Sequence, residues 1–277
     1  GRTPNPDVMC NKEIKFKLLY NWAMRNGFDY LATGHYARIH ATCNTQHETK
    51  RGKMLRDTCC VLCRSADEFK DQTYFIYNIK SLQLPHLLFP IGGMRKSQVR
   101  ALARKIGLPN AEKKESMGLC FVGKIRLKDF LEQKLKGKRG AVMDQNGKAI
   151  GHHRGLYNYT IGQRQGIKIG SGGPYFVFGK DLKRNRLYVT NDPDDERLFI
   201  KEVQLHSVNW LDDWLKAKSY KLKARYRHQG ELVPVAITKI KKDLYRVMFK
   251  QPQKAVASGQ SLILYKDKEC VGGGIIA

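Results

Sequence analysis

Residues 11–36, NKEIKFKLLYNWAMRNGFDYLATGHY, decide the fold. Asn11 to Asn26 places Ile14, Leu18, Leu19 and Trp22 on one face at helical spacing, and Gly27 supplies a stop. Phe28 to Thr33 reads as a short buried strand, and Gly34-His35-Tyr36 sits where that strand hands over to a loop. A helix followed at once by a buried strand is one step of an α/β layer. Working outward, 70–80 and 94–107 carry further helical patterns, the second closed by Gly107 with Pro109 just beyond. Residues 40–58 are polar and irregular and read as a loop. After a short helix expected at 126–135, the texture changes to Gly-rich pieces of strand length, such as Pro174 to Gly179 and Arg186 to Thr190. From about residue 200 the period is two. Tyr220, Leu222, Ala224, Tyr226 and His228 share one face, and Lys221, Lys223, Arg225 and Arg227 the other, a row of cations offered to water or phosphate. With Val233 to Ile237, Leu244 to Phe249 and Gln260 to Tyr265, this predicts a small antiparallel barrel.

At 277 residues the chain is long enough for two or three compact units. Apolar residues at 42% and charged residues at 27% exclude a disordered or fibrous chain. No stretch reaches the roughly 18 uninterrupted apolar residues of a membrane helix, so a soluble protein without a membrane partner is expected. Lysine and arginine total 51 against 25 acids, a net charge of +26. Such an excess fits a polyanionic partner better than neutral metabolites. The seven cysteines are scattered and odd in number, which points to a reducing compartment rather than a disulfide framework.

Cys10 follows the two prolines of Thr3-Pro4-Asn5-Pro6-Asp7-Val8-Met9-Cys10 and precedes the first predicted helix. In a first turn its thiol would face unpaired N–H groups and the positive end of the helix dipole, which favour thiolate; the other reading is an inert buried cysteine. Asp7, one turn away, is a proton acceptor or an N-cap. Cys120, in Glu115-Ser116-Met117-Gly118-Leu119-Cys120-Phe121-Val122-Gly123, lies beside Lys113-Lys114 between two glycines, a setting for a reactive thiol or for a structural one. Two such cysteines suggest thiol exchange, one sulfur carrying and the other attacking. Cys59-Cys60-Val61-Leu62-Cys63 lacks a second ligand pair and reads as a cysteine-rich strand rather than a zinc site, and no metal is expected. His35 stands where α/β ligands sit, or is structural. Gly162-Gln163-Arg164 reads as a turn.

Seven blocks then resemble, in order, the tRNA-specific 2-thiouridylases: TPNPDVMCNKEIKF (3–16), ATGHYAR (32–38), FKDQTYF (69–75), ESMGLCFVG (115–123), YTIGQRQG (159–166), ARYRH (224–228) and ASGQ (257–260). The Ser116-Met117 pair is similar to the mitochondrial eukaryotic members. The resemblance implies a tRNA uridine 2-sulfurtransferase: ATP adenylates the C2 oxygen of the wobble uridine, and a persulfide sulfur from a relay protein replaces it. Cys120 matches the persulfide carrier and Cys10 its partner, through a disulfide reduced after each turnover. Asp7 is then an acid or base, and Asn5, Pro6 and Asp7 meet the flipped target base. Gly34 matches an ATP contact. His35, Lys70, Asp71, Gln72, Arg225, Tyr226 and Gln260 match tRNA contacts.

The resemblance also implies three units: the C-terminal part of a Rossmann-like α/β ATP pyrophosphatase domain (1–122), a central domain (123–197) and a tRNA-binding barrel (198–277), working as a monomer in mitochondria. The family's Ser-Gly-Gly-Val-Asp-Ser type phosphate loop does not occur in the 277 residues, where Ser171-Gly172-Gly173 is followed by Pro-Tyr. The chain alone is therefore expected not to form the adenylate, and the rival reading is a non-catalytic tRNA-binding protein. A related enzyme acting on a small molecule fits the basic barrel and paired cysteines poorly.

Overall fold

A computed structural model describes residues 2, 4–42, 46–48, 54–56, 59–113, 134–135, 137–167, 169, 174–211 and 220–277. Cys120, Cys43, Lys114 and nearly all of the helix expected at 126–135 lie outside them.

The first helix begins earlier than its pattern suggests. α1 (Pro6–Cys10) runs into a π-helical stretch, Asn11–Leu19, and then α2 (Tyr20–Arg25), with Gly27 at φ +78° ending the run. The predicted core face is wrong. Ile14, Leu18, Leu19 and Trp22 are exposed, Trp22 by 56%, and Asn11, Phe16 and Ala23 are buried instead. The Tyr20 N–H reaches back five residues to the Lys15 carbonyl, and that wider winding turns the 3.6-residue stripe away from the core.

β1 (Leu31–Ala32) is shorter than the predicted strand and pairs in parallel with a two-residue strand at Leu87–Leu88. β2 (Ala37–Thr42) pairs antiparallel with a strand at Cys59–Arg64, and the stretch between them, read as a loop, contains β3 (Gln46–Glu48) and β4 (Met54–Arg56) as a small hairpin. β5 (Cys59–Arg64) is the expected cysteine-rich strand. Next come α3 (Thr73–Ile76), β6 (Leu87–Leu88) and α4 (Lys96–Lys105). Gly107 at φ +71° ends α4 as its sequence predicts.

The central unit is a four-stranded sheet of β7 (Gly140–Met143), β8 (Ala149–His153), β9 (Phe176–Asp181) and β10 (Arg186–Thr190), ordered β8-β7-β10-β9 around Val142, Leu156, Val177, Leu187 and Val189. Six further strands close a barrel: β11 (Phe199–Trp210), β12 (Tyr220–Arg225), β13 (Val233–Lys241), β14 (Leu244–Lys254), β15 (Ser261–Lys266) and β16 (Glu269–Ile276). Their order is β11-β14-β13-β12-β15-β16, and β16 returns to β11.

The barrel and the α/β unit share structure. Glu269 of β16 pairs with Cys63 of β5, so the β2–β5 hairpin continues the barrel sheet. β15 is buried along Ser261–Tyr265 because Leu262 and Leu264 fill the barrel, while Ile263 and Tyr265 join the core of Val8, Phe16, Tyr74 and Tyr77. That two-sided burial is why its sequence is an unbroken apolar run. Gly273 allows the contact: a Cβ there would stand 3.0 Å from the Tyr77 ring and 2.7 Å from the Leu262 carbonyl oxygen. Asn209 Nδ2 ties the units further, donating to the Tyr77 and Ile79 carbonyls at 2.8 and 2.9 Å.

Candidate functional site

Asn5, not Asp7, caps the first helix: its Oδ1 accepts from the Asp7 N–H at 3.1 Å and the Val8 N–H at 3.3 Å, while Pro6 takes the first helical position. Val8 is buried and anchors the turn. Asp7 and Cys10, three residues apart and both half-buried, share a face. Contrary to the sequence expectation, Cys10 does not sit in the first turn at the positive end of the helix dipole. As the fifth residue of α1 it lies beyond the four whose N–H groups lack helical partners, and the field of the helix end fades within that turn. Cys10, Cys60, Cys63 and Cys270 are thiols, not disulfides.

Behind this turn a chain of hydrogen bonds fixes the ATGHYAR segment. Asn11 donates from Nδ2 to the Asp7 carbonyl (2.9 Å), which leaves its Oδ1 to accept from His35 Nε2 (3.0 Å); His35 Nδ1 then accepts from the Thr33 hydroxyl (2.7 Å). The ring packs on Phe16 and Phe89. Burial, reinforced by the Lys15 ammonium, pushes the His35 pKa down to about 3. His35 is a neutral, buried brace between helix and strand in this structure. Below its ordinary value near 6.5 the unfolded chain takes up a proton that the native state refuses. The stability His35 contributes is thus complete above about pH 6.5 and is lost as the pH falls towards 3, by up to about 1.4 kcal/mol per pH unit. His35→Gln is expected to flatten the acid side of a plot of urea midpoint against pH; an equally steep fall in the variant would contradict this. Gly34, beside it, has open space over its Cα.

The FKDQTYF segment is held from two sides. Gln72 exchanges hydrogen bonds with Tyr36, its N–H to the Tyr36 carbonyl and the Tyr36 N–H to its Oε1, both at 2.9 Å. Asp71 is fully buried. Its Oδ2 accepts from Arg225 at 2.8 Å, its Oδ1 from the Ser65 N–H at 3.2 Å, and the Thr73 hydroxyl reaches both oxygens. Arg64 stands 3.8 Å away. The predicted row of cations is therefore interrupted: Lys223 on β12 and Arg227 just beyond its end are exposed, while Arg225, with 6% of its side chain exposed, is covered by the 65–77 segment and the Tyr265 ring. Period two assigned it to solvent because an edge-on reading of one strand cannot register a second unit packed on the barrel's outer face. Lys70 is half-buried beside this pair.

Tyr226 lies half-buried with its hydroxyl 3.2 Å from Gln253 Oε1 and the Arg227 guanidinium 5.5 Å from its ring centre. With Gln260 it lines an open groove of about 360 Å³ whose other wall is Thr160 to Gln163 of the central unit. Gly162, at φ +81°, permits that wall; a Cβ there would lie 2.0 Å from the Ala255 Cβ. The turn expected at Gly162-Gln163-Arg164 is thus also the docking point of two units.

Asp71 and Arg225 are thus in direct contact, with Lys70 next to Asp71 in the chain; Cys10 shares the helix face of Asp7, and Tyr226 and Gln260 line the groove beside Arg227. One further residue escaped the sequence reading. His228, in the ARYRH block, has its ring 4.4 Å from that of Phe75, and burial, then the Arg225 charge, holds its pKa below the usual histidine range, against the pull of Asp71 and Asp7. Its only sequence signal was membership of that block. Among the described residues no cluster of His, Cys, Asp or Glu could hold a metal ion, and no helix is long and apolar enough to cross a membrane.

Residues 1–124 match the family of the tRNA methyl transferase HUP domain, 128–191 its PRC-barrel domain, and 200–276 the aminomethyltransferase beta-barrel domain. The tRNA-specific 2-thiouridylase MnmA of Enterococcus faecalis is 43% identical over 282 residues, covering 100% of this chain and 72% of that protein. The chain belongs to the tRNA-specific 2-thiouridylase family. Its relatives of the same name in Bacillus licheniformis and Buchnera aphidicola are 45% and 39% identical, each matched along 100% of this chain and 71% and 73% of their own length. In family terms the α/β unit is a Rossmann-like HUP domain, the central sheet a PRC-barrel domain, and the C-terminal unit a closed antiparallel barrel of six strands.

Proposed function

We propose that this chain takes part in the 2-thiolation of a tRNA uridine, as the names of its relatives say of them. The observation that carries the reading is that Arg225 and Asp71, far apart in sequence, meet at 2.8 Å, and that their charges, with those of Lys70 and of Asp7 on the Cys10-bearing helix, all act on the one ring of His228. The net charge of +26 and the outward cations Lys223 and Arg227 supply attraction for a polyanion. Asn5, Pro6 and Asp7 form the part nearest the base, with Asp7 as acid or base. Lys70, Gln72, Tyr226 and Gln260 bind the RNA. Asp71, Arg225 and His35 act largely by holding those segments in place, since each is buried on protein partners.

In the chemical step ATP turns the uridine C2 oxygen into a leaving group. A relay protein loads sulfur onto Cys120. The Cys10 thiolate attacks the inner sulfur of that persulfide, a Cys10–Cys120 disulfide forms, and hydrosulfide leaves to add at C2 and displace the activated oxygen. An external dithiol then reduces the disulfide. Gly34 gives the nucleotide room at the carboxyl end of β1; no Ser-Gly-Gly-Val-Asp-Ser type loop occurs in the 277 residues, so only this side of an ATP site is assigned here. The same proposal takes 1–122, 123–197 and 198–277 as the working units, a monomer as the active form and the mitochondrion as the location.

The test is nucleoside mass spectrometry of tRNA from cells depleted of this protein. The expected result is loss of 2-thiouridine, restored on re-expression. Unchanged thiolation would leave the binding-only reading in its place.

A further inference from the structure

We propose that His228 is a contact for the target pyrimidine, one nitrogen of its imidazole accepting the N3–H of a uridine that reaches the open edge of the ring just beyond the end of β12, beside Phe75. The inference rests on the thiolation reading and deepens it by naming a residue that selects the base.

Three observations carry it. The first is position. The Asp7 carboxylate from the helix start, Asp71 and Lys70 from the loop and Arg225 from the barrel all act electrostatically on this one ring, and Tyr74 and Phe75 back it at 6.2 and 4.4 Å between ring centres. Charges from three separate segments act on this ring, and its direct contacts are the Tyr74 and Phe75 rings of the 70–77 segment.

The second is an unmet bond. His228 Nδ1 is buried, yet among the described residues it has no hydrogen-bond partner. The contrast with the two buried histidines is direct: His35 is engaged at both nitrogens, and His153 meets the Asn185 carbonyl at Nε2 and the Gly155 N–H at Nδ1. A buried polar atom left unmade costs about 1–3 kcal/mol, and native structures keep such atoms mainly where something else meets them. Nδ1 is enclosed by protein, so the nitrogen open to a ligand is Nε2, and with no hydrogen bond among the described residues fixing the tautomer the ring can keep its proton on Nδ1 and present Nε2 as the acceptor.

The third is charge. Burial together with Arg225 and Lys70 keeps the imidazole neutral near neutral pH, against the opposing pull of Asp7 and Asp71. A neutral imidazole has an acceptor lone pair, which imidazolium lacks. Uridine presents a proton at N3 and cytidine does not, so this acceptor distinguishes the two bases. An aromatic wall of Phe75 beside it gives the flipped base a surface to stack on.

The experiment measures binding of two anticodon stem-loop RNAs, identical except for uridine or cytidine at the target position, by fluorescence anisotropy at one salt concentration. The wild-type protein is expected to prefer the uridine RNA about tenfold, the value of one such hydrogen bond. His228→Phe is expected to bind both RNAs alike while keeping the wild-type salt slope, and His228→Gln, which retains an acceptor, to recover part of the preference. Circular dichroism matches the variants for folding, and the Gln variant carries the test should the Phe variant fold poorly. Full preference for uridine in the folded variants overturns the inference alone. A wild-type protein that binds both RNAs alike also overturns the inference, while the thiolation reading stands or falls separately on the 2-thiouridine measurement.

Discussion

Asp71→Ala is expected to destabilise the protein by about 3–5 kcal/mol, the cost of breaking a buried ion pair by removing one partner. The side chain has no exposed surface, and the Arg225 guanidinium 2.8 Å away is almost as deeply enclosed. Removing the carboxylate strands that charge, leaves Arg64 facing it, and deletes the acceptor used by the Ser65 N–H and the Thr73 hydroxyl. Arg225 Nε already lacks a partner among the described residues, so nothing nearby takes up the lost bond. Because the pair joins the 65–77 segment to β12, the loss falls on the contact between the α/β unit and the barrel. The double variant Asp71→Leu with Arg225→Met should lose less than Asp71→Ala: the Ser65 N–H and Thr73 hydroxyl lose their acceptor in both, but the double variant leaves no buried Arg225 charge, and Arg64 stays 3.4 Å from the exposed Glu68. Urea unfolding followed by fluorescence measures both. A shift for Asp71→Ala below about 0.5 kcal/mol, the usual range of a surface substitution, would contradict the assignment.

Cys120→Ser is expected to abolish sulfur transfer while leaving tRNA affinity and its salt dependence unchanged. On the proposed mechanism the substitution removes the atom that carries the sulfur and no cation, so chemistry and binding should separate. Cys10→Ser is expected to fail at the following step: sulfur loads onto Cys120 and stays there, because no thiolate attacks the persulfide. Thiolation assays with a sulfur-35 donor distinguish the two, label absent from protein and tRNA in the first and retained on protein in the second. Thiolation by either variant would contradict the roles given to these cysteines.

How much of this was legible depends on what each pattern records. The barrel was readable because residues such as Leu222 and Ala224 alternate with solvent-facing neighbours, and alternation is a local signal. Arg225 obeyed the same alternation and was misassigned, since only the tertiary structure supplies the second layer that buries it. The first helix was visible, but its buried face was not, because the Asn11–Leu19 stretch is wound as a π-helix while the sequence was read with the 3.6-residue period. The parallel pair β1–β6 was half seen: two residues a strand is too short for periodicity, and its partner lies fifty-six residues on, from Leu31 to Leu87. Of the candidate site, Cys10 and the NPD, KDQ and RY segments were singled out through family blocks, while Cys120 lies outside the described residues. The contact of Asp71 with Arg225 and the unmet nitrogen of His228 exist only in three dimensions.

The central claim is that the sulfurs of Cys10 and Cys120 meet during each transfer, and peptide mapping after a single turnover without added reductant tests it most directly. The account predicts one new cross-linked peptide joining Cys10 to Cys120, formed in step with thiolated tRNA and absent without tRNA. Thiolated tRNA produced while both cysteines stay reduced, or while Cys10 is linked elsewhere, would contradict it.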